Sequence, residues 1–116
     1  MQVQAITKNV PMSAQKMREV VRQIQGLPAL QAQAVLGVTP RKGARVVYQT
    51  LKSALANAEE LARQGKFAAV KPTALRVREA VAQTGPTLKR FRPRARGSAG
   101  PILKRRCHVK IVLSDE

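Results

Sequence analysis

With 116 residues, 44% of them apolar but only 3% aromatic, the chain has sequence for one domain whose core must come from aliphatic side chains. Twenty-two Lys and Arg face six acids, a net charge of +16, and that self-repulsion opposes a compact state unless a polyanion neutralises it. The partner classes this admits are nucleic acid, an anionic membrane surface or an acidic protein. Met1 to Val10 alternate in polarity and lack the apolar block of a signal peptide, and no run approaches the ~18 apolar residues of a membrane span. One cysteine, Cys107, rules out an internal disulfide and fits a reducing compartment.

In chain order, residues 2–10 read as a strand. Ser13 suits the N-cap of a first helix, whose Met17, Val20, Val21 and Ile24 fall at i, i+3, i+4, i+7. Gly26 fits the position just past its end, and Pro28 opens a short second helix over 29–36 closed by Gly37. Thr39-Pro40 then opens the third and longest helix, with Thr39 as N-cap and Pro40 at the first helical position. Its apolar stripe is Ala44, Val47, Tyr48, Leu51, Leu55, Ala58 and Ala62, widened by Leu61, and Gly65 ends it.

From Leu75 the period changes to two. Leu75, Val77 and Val81 alternate with Arg76, Arg78, Ala80 and Ala82, and Cys107, Val109, Ile111 and Leu113 with His108, Lys110 and Val112. Residues 84–106 between them are rich in Gly, Pro and Arg, and a structureless loop of that length is unusual in a compact domain. The reading is therefore one hairpin extended into a ribbon. Odd residues are buried in both strands, which predicts even-sum pairing such as Leu75 with Leu113 and a turn centred on Arg94. Arg76, Arg78, Arg90, Arg92, Arg94, Arg96, Lys104, Arg106 and Lys110 are then all even; only Lys89 and Arg105 are odd. A regular ribbon sends these nine cations to one face. Bulges at Gly85-Pro86, Pro93 or Gly100-Pro101 would scramble that order near the tip. No acid lies between Glu79 and Asp115, so the ribbon has no countercharge of its own, and arginine's planar fork is suited to phosphate.

The expected fold is α+β: a small antiparallel sheet packed against three helices, with a long β-hairpin arm. The chain reads as one domain, 1–116, with a globular body (1–84 and 107–116) and a basic arm (85–106). Arg41 and Lys42 open the third helix and Lys16 and Arg18 the first, where positive charge opposes the helix dipole by ~0.3–1 kcal/mol each; facing phosphate would explain that placement.

Catalysis finds little support. Cys107 and His108, the only thiol and the only imidazole, point to opposite faces of a strand, and neither a phosphate loop nor a metal-ligand set exists. No enzyme, metal or cofactor is expected. His108, on the cationic face, is a candidate nucleic-acid contact. A DNA-bending protein with β-ribbon arms remains a rival and would require a dimer. A membrane-surface binder would place its cations on an amphipathic helix, which these helices do not do.

The stretch Gly85-Pro86-Thr87-Leu88-Lys89-Arg90-Phe91-Arg92-Pro93-Arg94-Ala95-Arg96-Gly97 resembles the hairpin of the bacterial-type large-subunit ribosomal protein twenty-two family. Ile102-Leu103-Lys104-Arg105 and 108–113 are similar to its return strand, 13–18 to its first-helix motif and 53–59 to its third-helix motif. The resemblance covers the chain in order, with departures at Ser98, Gly100 and Glu60. It implies a structural constituent of the cytoplasmic (or organellar) large ribosomal subunit that binds 23S-type rRNA, supports assembly and lines the nascent-peptide tunnel. The rRNA-binding candidates are Lys16, Arg18, Arg41, Lys42, Lys89, Arg90, Arg92, Arg94, Arg96, Lys104, Arg105, Arg106 and His108; the tunnel-lining tip is 90–96, including Phe91, Pro93 and Ala95. Implied partners are rRNA, neighbouring large-subunit proteins and the nascent polypeptide, with no membrane and no homo-oligomer.

Overall fold

The computed structural model describes residues 2–64 and 74–115. Strands β1 (Gln2–Val10), β2 (Arg76–Thr84), β3 (Leu88–Pro93), β4 (Ala99–Lys104) and β5 (Cys107–Ser114) and helices α1 (Ala14–Val21), α2 (Ala29–Val38) and α3 (Lys42–Arg63) make an α+β fold. β5 lies between β1 and β2 in a three-stranded antiparallel sheet, while β3 and β4 pair in a sheet of their own. The result is elongated, 66 × 27 × 17 Å with a radius of gyration of 17.6 Å, against about 13 Å for a compact chain of this length.

The core follows from the two periodicities. β5 turns Cys107, Val109, Ile111 and Leu113 inward; α1 contributes Met17, Val20 and Val21, with Ile24 just beyond it; and α3 contributes Ala44, Val47, Leu51, Ala54 and Ala58. Tyr48 and Leu55 sit at the margin, so the buried stripe of α3 is rotated toward Thr50 and Ala54. Thr50 is 1% exposed. Its hydroxyl donates to the Val46 carbonyl at 2.9 Å and accepts from Thr7 Oγ1 at 2.7 Å, so neither buried oxygen lacks a partner.

The link between α1 and α2 completes the sheet. Gly26 N–H donates to the Val77 carbonyl, Val77 N–H to the Leu27 carbonyl and Ala29 N–H to the Leu75 carbonyl, each at 2.9 Å. This covers the start of β2 on its open side, which would otherwise expose unpaired backbone. Gly26 makes it possible at φ +79°, a conformation costly for other residues.

Three expectations are corrected. Gly37 does not close α2, which continues to Val38; Thr39 terminates it, its Oγ1–H donating to the Val35 carbonyl at 2.7 Å. Thr39-Pro40 consequently does not open α3. Arg41 holds the extended N-cap position and the helix starts at Lys42. Even-sum pairing holds at the base of the hairpin, but as Val77 with Leu113 rather than Leu75 with Leu113. A bulge at Arg78 then shifts Glu79 opposite Val112. Beyond it Ala80 and Ala82, not Val81, enter the core, because one extra residue exchanges the two faces. Gly65, expected to end α3, lies outside the described residues; Gln64 is the helix C-cap.

Leu51, fully buried at the centre of α3, gives a direct test of this core. Leu51→Ala should lower unfolding free energy by about 2–5 kcal/mol, read as a lower denaturation midpoint with an unchanged slope.

Candidate nucleic-acid interface

The arm is built by β3 and β4, paired in register from Leu88 with Lys104 to Pro93 with Ala99. Its numbers sum to an even value again, so even residues share a face. Arg90, Arg92, Gly100, Ile102 and Lys104 lie there; Lys89, Phe91, Pro93, Ala99, Pro101 and Leu103 lie on the other. The cationic face is thus real within the arm, and it is separated from the sheet by the breaks at 85–87 and 105–106. The turn is centred two residues beyond Arg94. Ala95–Gly97 forms a single tight turn in which Arg96 and Gly97 take positive φ, 60° and 73°.

The tip closes through its own polar groups. Arg94 N–H donates to the Ser98 carbonyl at 2.7 Å, and Ser98 Oγ–H donates to the Ala95 carbonyl at 2.9 Å. Ser98, noted above as a departure from the family pattern, is therefore a turn-forming residue here. Gly100 has a matching role. A β-carbon on it would stand 2.6 Å from Arg94 Nε and 3.0 Å from Arg94 Cγ, so the bare backbone is where the Arg94 side chain lies. Arg94 thereby joins Arg90 and Arg92 along the even face. Phe91 is 74% exposed, an uncommon position for one of the chain's two phenylalanines.

At the arm's root the body cations meet the arm cations. A groove of about 1150 Å³ is lined by Lys16 from α1, Arg41 and Lys42 from the start of α3, and Lys104, Arg105 and Arg106 from the return leg. Glu19 is its one acidic lining residue, and it pairs with Arg41 at 3.4 Å; both side chains are more than half exposed, so the pair contributes little stability. The first turns of α1 and α3 contain no acid, and neither Ser13 nor Arg41 caps its helix with a side-chain hydrogen bond. Two positive helix ends thus add to six cations around one concavity, an arrangement suited to phosphate oxygens.

Arg18 sits apart from this set. Its Nε–H donates to the Ala82 carbonyl at 3.2 Å, fixing α1 to β2, and it also borders a smaller groove with Thr84, Thr87, Arg105 and Arg106. His108 is half-buried, and its Nδ1 accepts from Asn9 N–H at 3.1 Å, which leaves the proton of a neutral ring on Nε2. Arg106 donates to the Asn9 carbonyl at 3.2 Å, and Gly85 N–H to the Arg106 carbonyl at 2.9 Å. Asn9, at φ 58° in the irregular end of β1, is the residue that sequence reasoning missed. Its left-handed conformation and the bulge beside it leave no trace in polarity alternation.

Among the described residues no group of three His, Cys, Asp or Glu is placed to hold a metal, and no described helix is long and apolar enough to cross a membrane.

The chain is similar to known proteins along almost its whole length. The family model described as ribosomal protein L22p/L17e matches residues 5–114. The large ribosomal subunit protein uL22 of Akkermansia muciniphila is 45% identical over 116 residues, all of this chain and 98% of the relative. That of Opitutus terrae is 46% identical over 115 residues, covering 99% and 96%.

Cys107 is fully buried, and burial pushes its thiol pKa up. A neutral thiol favoured in the folded state adds stability below the unfolded thiol's pKa, and that contribution is lost as pH rises through the folded one. Iodoacetamide should accordingly label Cys107 slowly in the native protein near pH 8 and rapidly once denaturant is added, as followed by intact mass.

Proposed function

From the premise that this chain belongs to the ribosomal protein L22p/L17e family, we propose that it anchors rRNA through the groove at the arm's root and carries the arm inward to line the nascent-peptide tunnel. The chain is a structural constituent of the large ribosomal subunit and not an enzyme. The observation that carries the finer reading is the meeting of Lys16, Arg41 and Lys42 with Lys104, Arg105 and Arg106 around one groove. Residues distant in sequence have no intramolecular reason to gather like charge, since each added cation raises the repulsion; a phosphate backbone supplies the reason.

Lys89, Arg90, Arg92, Arg94 and Arg96 extend the phosphate contacts along the arm, and His108 and Arg18 serve the root by fixing its backbone as well as bordering the RNA. The tip, 90–96 with Phe91, Pro93 and Ala95, meets the tunnel and the nascent polypeptide. The exposed Phe91 ring gives a flat surface for stacking on an unpaired base. By holding several rRNA segments at once the protein supports subunit assembly. It works as a single copy beside neighbouring large-subunit proteins, in a cytoplasmic ribosome. Residues 85–106 act as an arm on a body formed by the rest, because β3 and β4 form a sheet separate from that of the core.

Two measurements test this. Binding of the isolated protein to large-subunit rRNA fragments should weaken roughly 10³–10⁵-fold between about 50 and 200 mM salt if ~6–10 phosphates are neutralised, by analogy with duplex DNA; a flat response, or a preference for duplex DNA, would overturn the reading. Replacing 89–103 by a short turn should leave the thermal unfolding of the body near its original midpoint while altering chemical footprints of the tunnel wall. Loss of the folded body would reject the division into body and arm.

A further inference from the structure

We propose that Glu19 is a positioning residue for rRNA: its carboxylate holds the Arg41 guanidinium at the groove of the arm's root, ready to receive a phosphate. The proposal rests on the rRNA reading of that groove and gives its single acid a part in binding.

Glu19 stands where an acid is unfavourable twice over. It is the one acid beside six cations lining the groove, so it repels any phosphate that enters. It also lies in the last turn of α1 (Ala14–Val21), where a carboxylate meets the negative end of the helix dipole. Stability does not explain it. The carboxylate pairs with Arg41, Oε2 lying 3.4 Å from Nη1, and the two side chains are 55% and 60% exposed; exposed pairs of this kind contribute little to folding. Nor is the pair needed to bring α1 and α3 together. Met17, fully buried, already packs against the first turn of α3, where a β-carbon on Gly43 would stand 3.0 Å from its Sδ.

What the carboxylate does change is Arg41. That residue is the N-cap of α3, its backbone extended at φ −126° and ψ 142°, and its side chain makes no capping hydrogen bond. A long side chain leaving an exposed helix end has many rotamers, and ordering it on a phosphate costs conformational entropy. Contact with Glu19 removes much of that freedom before RNA arrives. Arginine suits the task better than lysine, because its planar fork can meet a carboxylate on one side and a phosphate on another. With more than half of its side chain exposed, Arg41 keeps donors for the second partner. The acid's repulsion is then offset by an arginine already aimed.

The sign of one substitution tests this. Glu19→Gln keeps the side chain's shape and removes its charge. Electrostatics alone makes this variant of the full chain bind fragments of large-subunit rRNA more tightly than the parent. Positioning makes it bind about threefold or more weakly, within the coupling found between paired residues. It also flattens the dependence of log affinity on log salt by about one, as loss of a phosphate contact does. Tighter or equal binding, or an unchanged salt slope, would overturn the proposal. A double-mutant cycle supplies the second check. In an Arg41→Gln background, Glu19→Gln should no longer weaken binding; equal weakening in both backgrounds would also overturn it. Arg41→Gln and Lys16→Gln separate this role from the reading beneath it. If neither weakens binding, the rRNA reading of the groove fails and the positioning role with it. If both do while Glu19→Gln tightens binding, only the positioning role falls.

Discussion

The constraint on which the remaining structure depends is the double pairing of β5. This last strand is hydrogen-bonded to β1 on one side and β2 on the other, so its alternation sets the inner and outer faces of the whole sheet. Cys107, Val109, Ile111 and Leu113 commit one face to the helices; the arm enters the strand directly through Arg105 and Arg106. The core strand and the return leg of the arm are thus almost continuous, and whatever orients one orients the other.

Around that axis the chain segregates its charge. The arm holds cations with no intervening acid, its root gathers six around a single acid, α1 and α3 aim their uncapped N-termini at the same groove, and the segment containing α2 is neutral. Surface charge in a free protein is usually interspersed, which limits repulsion. Segregation of this degree suits a surface that meets a polyanion over one region only. The same sorting explains why so few acids suffice. Glu19 is the only one lining the groove, and its partner Arg41 is still more than half exposed.

Much of this was legible in the sequence. The helix stripes named Met17, Val20, Val21, Ile24, Val47 and Leu51 as core, and all are buried; the two-residue period found the inward residues of β5, although Val112, expected among the outward ones, is buried as well. The clustering of cations was visible along the arm, but their convergence with Lys16, Arg41 and Lys42 was not, since nothing local records which helix ends lie beside the return leg. Parity failed at Arg78 because a bulge inserts one residue without changing composition. Thr39 misled for a different reason. Threonine can cap the start of one helix or bond back to the last turn of another, and here it bonds to Val35, two residues before the next N-cap. Ser98 and Gly100 stood out only as departures from the family pattern; in three dimensions one closes the turn and the other seats Arg94.

The small latch at Gly85, Arg106, His108 and Asn9 has a mechanical meaning. From Gly85 to the turn each leg counts about eleven residues, a reach of roughly 35 Å at ~3.3 Å per residue. A cantilever of that length multiplies error at its mounting, so that ten degrees of tilt at the base sweeps the free end by about 6 Å, more than the spacing between adjacent strands. The hydrogen bonds made there, Gly85 to Arg106, Arg106 to Asn9 and Asn9 to His108, brace the mounting against a strand other than the two that continue into the lever. Aim at the far end is thereby governed by β1, a strand that never leaves the body.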